Sequence, residues 1–349
     1  MLVVNNQNLE QLLNAIGINN NDILNSLELI HKRSIELIEN NGQLPQIPPF
    51  EKHPYLENIE NKNITGLMIG TFPPISYLCD TLNLQYLTFN GRIGPPQIPY
   101  FHGNNCSLWR YCPIDFDSVI RLARDKQPNK IRTLLASKGI AYTDIIIYCQ
   151  RELCYKNGKY SYTAQDKFLN NIVLNNSIYQ LLLNSSTINR LYFTNASFFC
   201  SNNTNNRLFD KCGNYILKTR DAFRLFLKGA NDFGFTIEIS NNINPEIWHK
   251  INECENLETK RLNKLLTNKI ILKMRLKKGD NSRILQLYTS VSPAAVLRGR
   301  VKQNRCIVKF CQQHVIRDNE APKEFLTKVL LSFFNNSIDG LIDYNEEVD

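Results

Sequence analysis

Four short stretches concentrate side chains able to do chemistry. The first is GTFPP, where Gly70, Thr71 and Phe72 lead into Pro73 and Pro74, a stiff wall of the kind a preorganised pocket needs. It is neither GxGxxG nor a Walker loop, so the usual devices for cradling a nucleotide are unsupported. The second, YFHGNNCSLWRYC, runs from Tyr100 to Cys112. Tyr100, Phe101 and His102 offer flat faces, and Asn104 and Asn105 donate and accept hydrogen bonds, a combination that holds a nucleobase by stacking and by its polar edge. The same residues suit an aromatic core corner whose asparagines form turns. The third, YTDIIIYCQRE, sets Asp144 at the head of an apolar run, where a buried carboxylate needs a partner. Arg151 could be that partner or a phosphate contact, and a structural Asp capping a nearby loop is the competing reading. In the fourth, YTSVSPAAVLRGR, Ser290 and Ser292 precede Pro293, which suits the first turn of a helix whose free N–H groups could grip a phosphate. Arg298, Arg300 and Lys302 follow at once.

These stretches lie at or beside the ends of expected strands. ITGLMIG (64–70), YTDIIIYC (142–149), RLYFTN (190–195), FTIEIS (235–240) and ILQLYTS (284–290) read as strands, and 118–138, 165–184, 220–231 and 320–335 carry helical spacing. The alternation predicts an α/β domain with a largely parallel sheet. In such a sheet the ligand site lies outside the carboxyl ends of the strands. Ahead of it, residues 7–40 show two helical patterns broken around GINNND, an N-terminal helical extension over 1–45. The Pro-rich GQLPQIPPFEKHPYL then links into the main domain at 52–312. The interval 256–280, NLETKRLNKLLTNKIILKMRLKKGD, reads as a basic insertion, either a surface helix with a solvated basic face or a phosphate-contacting one. Residues 313–349 read as a C-terminal helix and an acidic tail.

Across 349 residues, 41 Lys plus Arg against 32 Asp plus Glu leave a net charge of +9. Such an excess suits a polyanionic partner, nucleic acid before membrane, and equally a merely basic protein. The basic cluster beside Ser290 and Ser292 tips this toward a polyanion. No apolar run approaches the roughly 20 residues that span a bilayer, and MLVVNNQNLEQLL lacks a signal-peptide pattern. The expectation is a cytoplasmic protein whose ten Cys are reduced core thiols. No CxxC occurs, and no metal or cofactor is expected.

Taken in order, the motifs resemble the uracil-DNA glycosylase superfamily, in its branch with a GTFPP-like first motif. HPYL, His53 to Leu56, resembles that branch's early HP-aromatic element. YFHGNNCSLW is similar to its YFYG...N..FW segment, GIAYTDIIIYCQR (Gly139 to Arg151) to GIA..D.....C.R, and YTSVSPAA to LPSPSPAA. The resemblance covers roughly 52–312. It implies a three-layer α/β/α sandwich with a short, mainly parallel central sheet, and an enzyme that flips a modified or deaminated base out of DNA and hydrolyses its N-glycosidic bond with a water nucleophile.

By the same resemblance, Asn105 is the water-positioning group, Asn104 its reserve and Asp144 the alternative. Gly70, Thr71, Phe72, Pro73, Asp80, Tyr100, Phe101 and His102 line the base pocket, with Asn83 and Asn90 also able to read a base. Ser290, Ser292, Pro293, Arg298 and Arg300 hold the backbone, and Leu297 with Val296 forms the wedge that fills the vacated space. Two departures stand out. Phe72 occupies the place of the classical acid, and Tyr288 that of the classical His that polarises the leaving base. No Lys lies in the matched motifs, so no lyase step is expected. Substrates in the superfamily include uracil, hypoxanthine, mismatched thymine and, in anti-phage systems, glucosylated hydroxymethylcytosine, so repair and antiviral defence both fit. The expected partner is duplex DNA bound by a monomer. The competing readings are a DNA-binding module that kept the fold without catalysis and an enzyme acting on free nucleotides.

Overall fold

Leu67, Met68 and Ile69 are completely buried, and a strand buried on both faces needs a cover on each side. The computed structural model describes residues 28–29, 31–33, 36, 50–53, 56, 59, 63–73, 86–87, 93–94, 108–124, 127–151, 153–156, 159–162, 169–194, 222–240, 248–251, 271–289, 320–338 and 341.

The described elements open with strands β1 (Phe50–Lys52), β2 (Gly66–Gly70), β3 (Tyr86–Leu87) and β4 (Ile93–Gly94). Helices α1 (Phe116–Arg124) and α2 (Pro128–Ala136) follow, then β5 (Ile140–Asp144), β6 (Ile146–Arg151), β7 (Leu153–Lys156), β8 (Lys159–Tyr162) and β9 (Leu169–Leu174). After α3 (Ser177–Asn184) come β10 (Arg190–Phe193), α4 (Ala222–Asp232), β11 (Thr236–Ser240) and β12 (Trp248–Lys250). The series closes with β13 (Ile271–Lys278), β14 (Asn281–Thr289) and α5 (Ala321–Asn335).

Among the described residues the central sheet has seven strands, in the order β12-β11-β13-β14-β10-β2-β5. Its core β14-β10-β2-β5 is parallel, and β13, β11 and β12 extend it in antiparallel pairs. Successive residues of a strand face opposite sides, and β10 shows both covers. Tyr192 meets Phe333 of α5 on one side, while Phe193 meets Phe223 and Phe226 of α4 on the other. The α/β architecture with helices on both faces of a sheet is therefore what the chain adopts. Arg190 fastens α5: its Nε donates to the Phe333 carbonyl at 2.6 Å and its guanidinium reaches the Phe334 carbonyl, a cation placed where the helix dipole is negative. A second, antiparallel sheet, β1-β6-β9, branches off after β5.

Four expected elements come out differently. The pattern over 118–138 is two helices, α1 and α2, separated just before Pro128, which starts the second. The apolar run of 142–149 breaks at Ile145 and serves two sheets, as β5 and β6. Where 165–184 reads as one helix, its described residues form strand β9 and then the helix Ser177–Asn184. Within 256–280 the described part is not a surface helix. It is strand β13, with Leu272, Met274 and Leu276 buried in alternation with Lys273, Arg275 and Lys277. β13 turns into β14 through Gly279 and Asp280, and Gly279 has the positive φ of 57° that such a tight turn requires.

Candidate active site

β2 ends at Gly70 and β5 at Asp144, and the two residues are register partners. After β2 the chain builds β5 on one side and later β10 on the other, so the carboxyl end of β2 is a topological switch point, where open parallel sheets leave a crevice. The pairing continues past the strands: the Ile145 N–H donates to the Gly70 carbonyl at 2.9 Å and the Ile146 N–H to that of Thr71 at 3.2 Å. GTFPP is thereby tied to the Asp144 segment. Thr71 and Pro73 are buried and Phe72 is half-buried.

Asp144 is 3 % exposed, and its partner is not Arg151. The break at Ile145 sends Arg151 to the far end of β6, opposite Leu169. The partner is His53, also 3 % exposed, whose Nε2 lies 2.8 Å from Asp144 Oδ2. His53 reaches this place because β1 pairs antiparallel with β6, Lys52 opposite Tyr148, and its own N–H donates to the Ile147 carbonyl at 2.7 Å. Phe72 sets its ring edge-on to the imidazole at 5.5 Å and an interplanar angle of 89°. Asn175 secures the turn from β5 to β6: its Nδ2 donates to the Asp144 carbonyl at 3.1 Å and to Thr143 Oγ1 at 3.3 Å.

The second carboxylate oxygen, Asp144 Oδ1, turns toward Gly70. A Cβ at position 70 would collide with this oxygen and with the Tyr142 hydroxyl, so the end of β2 needs glycine for a steric reason. Fully buried Trp109 packs on Tyr142 with ring centroids 5.7 Å apart, which brings the tail of the second stretch against the same strand.

Of the expected site residues, the structure brings together Gly70, Thr71, Phe72, Pro73 and Asp144. Asp80, Tyr100, Phe101, His102, Asn104 and Asn105 lie outside the described residues, as do Ser290, Ser292, Pro293, Val296, Leu297, Arg298 and Arg300. Tyr288 is a core residue, completely buried with its ring edge-on to Phe333 at 5.4 Å. Burial pushes its hydroxyl pKa up, against opposing effects of Ser332 and Arg190.

His53, Tyr142 and Asn175 were not legible as site residues from the sequence. For His53 the available signal was its place in the HP element, one of only five His in the chain. Asn175 carries no signal at all. Cys112 and Cys149 are buried thiols, and burial raises the Cys112 pKa well above the ordinary range. Among the described residues, no three His, Cys, Asp or Glu side chains converge as a metal site would need. Nor is any described helix long and apolar enough to cross a membrane. No family model matches the chain, and neither does any curated protein or solved structure.

Proposed function

We propose that the chain is a monofunctional DNA glycosylase of the uracil-DNA glycosylase type, acting in the cytoplasm on a base flipped out of duplex DNA. One observation carries this reading. Three of the ordered motifs behind the resemblance, HP, GTFPP and the Asp144 strand, converge within hydrogen-bonding distance at the switch point of a parallel sheet.

The chemistry follows from the carboxylate. Asp144, with Oδ2 held by His53, orients a water through Oδ1 toward the sugar carbon that bears the base. The water oxygen bonds to that carbon as the carbon–nitrogen bond breaks, and the bonding pair leaves on the base nitrogen. The water's proton passes to Asp144 and then to the departing base through solvent, leaving an abasic site and a free base. Gly70 to Pro73 form one wall, and a buried, preorganised acceptor suits the oxocarbenium-like charge that develops on the sugar. Asn105, or Asn104 in its stead, shares the orientation of water in this reading, and Ser290, Ser292, Arg298 and Arg300 hold the phosphates.

The test is mass-spectrometric detection of bases released from duplexes containing uracil, hypoxanthine or xanthine and from phage DNA with glucosylated hydroxymethylcytosine. Release should fall at least about 10²-fold in Asp144→Asn, the scale of a lost general base. No release across the whole panel would refute the proposal. A second reading, a DNA-binding module without catalysis, draws on Tyr288: in place of a leaving-base His the chain has a side chain committed to the core under α5. Duplex binding with no base release, unchanged by Asp144→Asn, would select it.

A further inference from the structure

Tyr142 and Asp144 stand two residues apart on β5, so their side chains leave the strand on the same face. Met68 is the register partner of Tyr142 and Gly70 that of Asp144, and Gly70 has no side chain to fill the space beside its own Cα. The first atoms that a Cβ at position 70 would meet are Asp144 Oδ1 and the Tyr142 hydroxyl oxygen, both well inside contact distance. A notch the size of one methyl group at the carboxyl end of β2 is thus bordered by two oxygens from the neighbouring strand.

Both oxygens are held from behind. His53 Nε2 lies 2.8 Å from Oδ2, and Asn175 Nδ2 donates to the Asp144 backbone carbonyl at 3.1 Å, which leaves Oδ1 as the carboxylate oxygen beside the notch. The ring of half-buried Tyr142 lies against the completely buried indole of Trp109, with the planes tilted by 48°. A phenol and a carboxylate fixed in this way form a rigid pair of acceptors on one side of Gly70.

Two acceptors this close suit one water molecule, which can donate an O–H to each, every bond spanning about 2.8 Å. A phenol oxygen accepts whether or not its own proton is donated elsewhere, so the arrangement does not depend on the other contacts of Tyr142. With both hydrogens held, the direction of the water's lone pairs is set, as attack on a carbon atom requires.

We propose that the Tyr142 hydroxyl oxygen is the second acceptor for the nucleophilic water, which it orients together with Asp144 Oδ1. The inference rests on the glycosylase reading for the reaction in which that water is used. The hydrogen bonded to Asp144 is the one transferred to it as the water oxygen bonds to the sugar carbon, the carbon–nitrogen bond breaks and its electron pair leaves on the base. The hydrogen on the Tyr142 side stays with the oxygen and becomes that of the new sugar hydroxyl. A preference among nucleophiles follows. Methanol has a single O–H and can bond Asp144 or Tyr142 but not both, so the second bond favours water.

The experiment is single-turnover base release at saturating protein, from whichever duplex of the test panel the wild type cleaves fastest, in water and in a methanol–water mixture. Tyr142→Phe keeps the ring against Trp109 and removes only the oxygen. Its release should slow by about tenfold or more while its affinity for the duplex stays unchanged. In the mixture, the share of abasic sugar recovered as the methyl glycoside, read by mass spectrometry, should rise several-fold over wild type. That share is a ratio of products and does not depend on how much protein is folded, so it decides the matter if the variant folds poorly.

An unchanged rate in a folded Tyr142→Phe protein, an unchanged methyl glycoside share, or a defect that lies wholly in duplex affinity would each overturn the inference. The two readings fail in different ways. Release at the wild-type rate in Tyr142→Phe overturns this inference and leaves the glycosylase reading standing, whereas no release by the wild type across the whole panel overturns both.

Discussion

At the scale of single residues, the buried pair His53–Asp144 governs what the strand ends can do. A carboxyl group at 3 % exposure needs a hydrogen-bond partner, and removing one member of a buried hydrogen-bonded pair costs about 1–3 kcal/mol, because the other is left unsatisfied. His53→Leu should therefore lower the urea midpoint sharply. The double variant His53→Leu/Asp144→Leu should recover much of that loss, since a well-packed apolar pair leaves no buried polar group unsatisfied. Equal destabilisation of single and double variants would show that the 2.8 Å contact carries no coupling. Gly70 offers a second measure. Gly70→Ala would drive a methyl group into Asp144 Oδ1 and the Tyr142 hydroxyl, so about 1–3 kcal/mol of overpacking is expected, together with loss of any base release that depends on Asp144. Denaturant melts and the release assay on the same preparation check both. The sequence made Asp144 legible as a carboxylate in need of a partner, but pointed to Arg151 along the same run. The true partner is 91 residues away and arrives through strand pairing, which no local pattern encodes.

At the scale of elements, β1 decides where His53 sits, and a short helical piece steadies β1. Residues 28, 29, 31–33 and 36 are helical. From them Glu28 Oε2 meets Lys52 Nζ at 2.8 Å and accepts from the Tyr148 hydroxyl at 2.7 Å, while His31 Nδ1 lies within 3.1 Å of both the Phe50 carbonyl and the Lys52 N–H. The hydrogen bonds from Lys52, then Tyr148, hold the Glu28 carboxyl below its ordinary value of 4.5. A carboxyl lowered by folding adds stability that is present above the unfolded value and disappears as pH falls through the folded one. Wild type and Glu28→Gln should therefore differ in melting temperature at pH 6 and converge as pH drops below about 4.5. Because Glu28 and Lys52 are both about half-exposed, the difference should not exceed about 1 kcal/mol. A gap that stays constant down to pH 3 would contradict this assignment.

The same scale explains which elements the sequence revealed. β2, β10, β11 and β14 showed as short apolar or alternating runs. β9 was hidden because it contains an irregularity: Asn171 has φ of 45° and the register against β6 shifts nearby, so Leu169 and Ile172 are both buried at a spacing of three, which imitates a helix. β13 was hidden by its Lys and Arg content, which suits a basic helix as readily as a strand with one polar face.

At the scale of the whole molecule, the sheet sets the Asp144 strand apart from the basic residues of β13. Asp144 lies on β5, at one end of the described sheet, and β13 stands beyond β2, β10 and β14. The motifs are legible in the sequence but this separation is not, because the basic residues of 271–278 gain a common face only once strand pairing fixes their register. Substitutions farther apart than about 10 Å and without shared partners add within about 0.5 kcal/mol. In the proposed enzyme, Asp144→Asn should therefore slow single-turnover base release at saturating protein and leave duplex affinity unchanged. Lys273→Gln should leave the saturated rate unchanged. The combined variant should show the Asp144→Asn defect at its separate size, and a coupling well beyond about 0.5 kcal/mol would mean that the basic residues of β13 and the carboxylate act as one site.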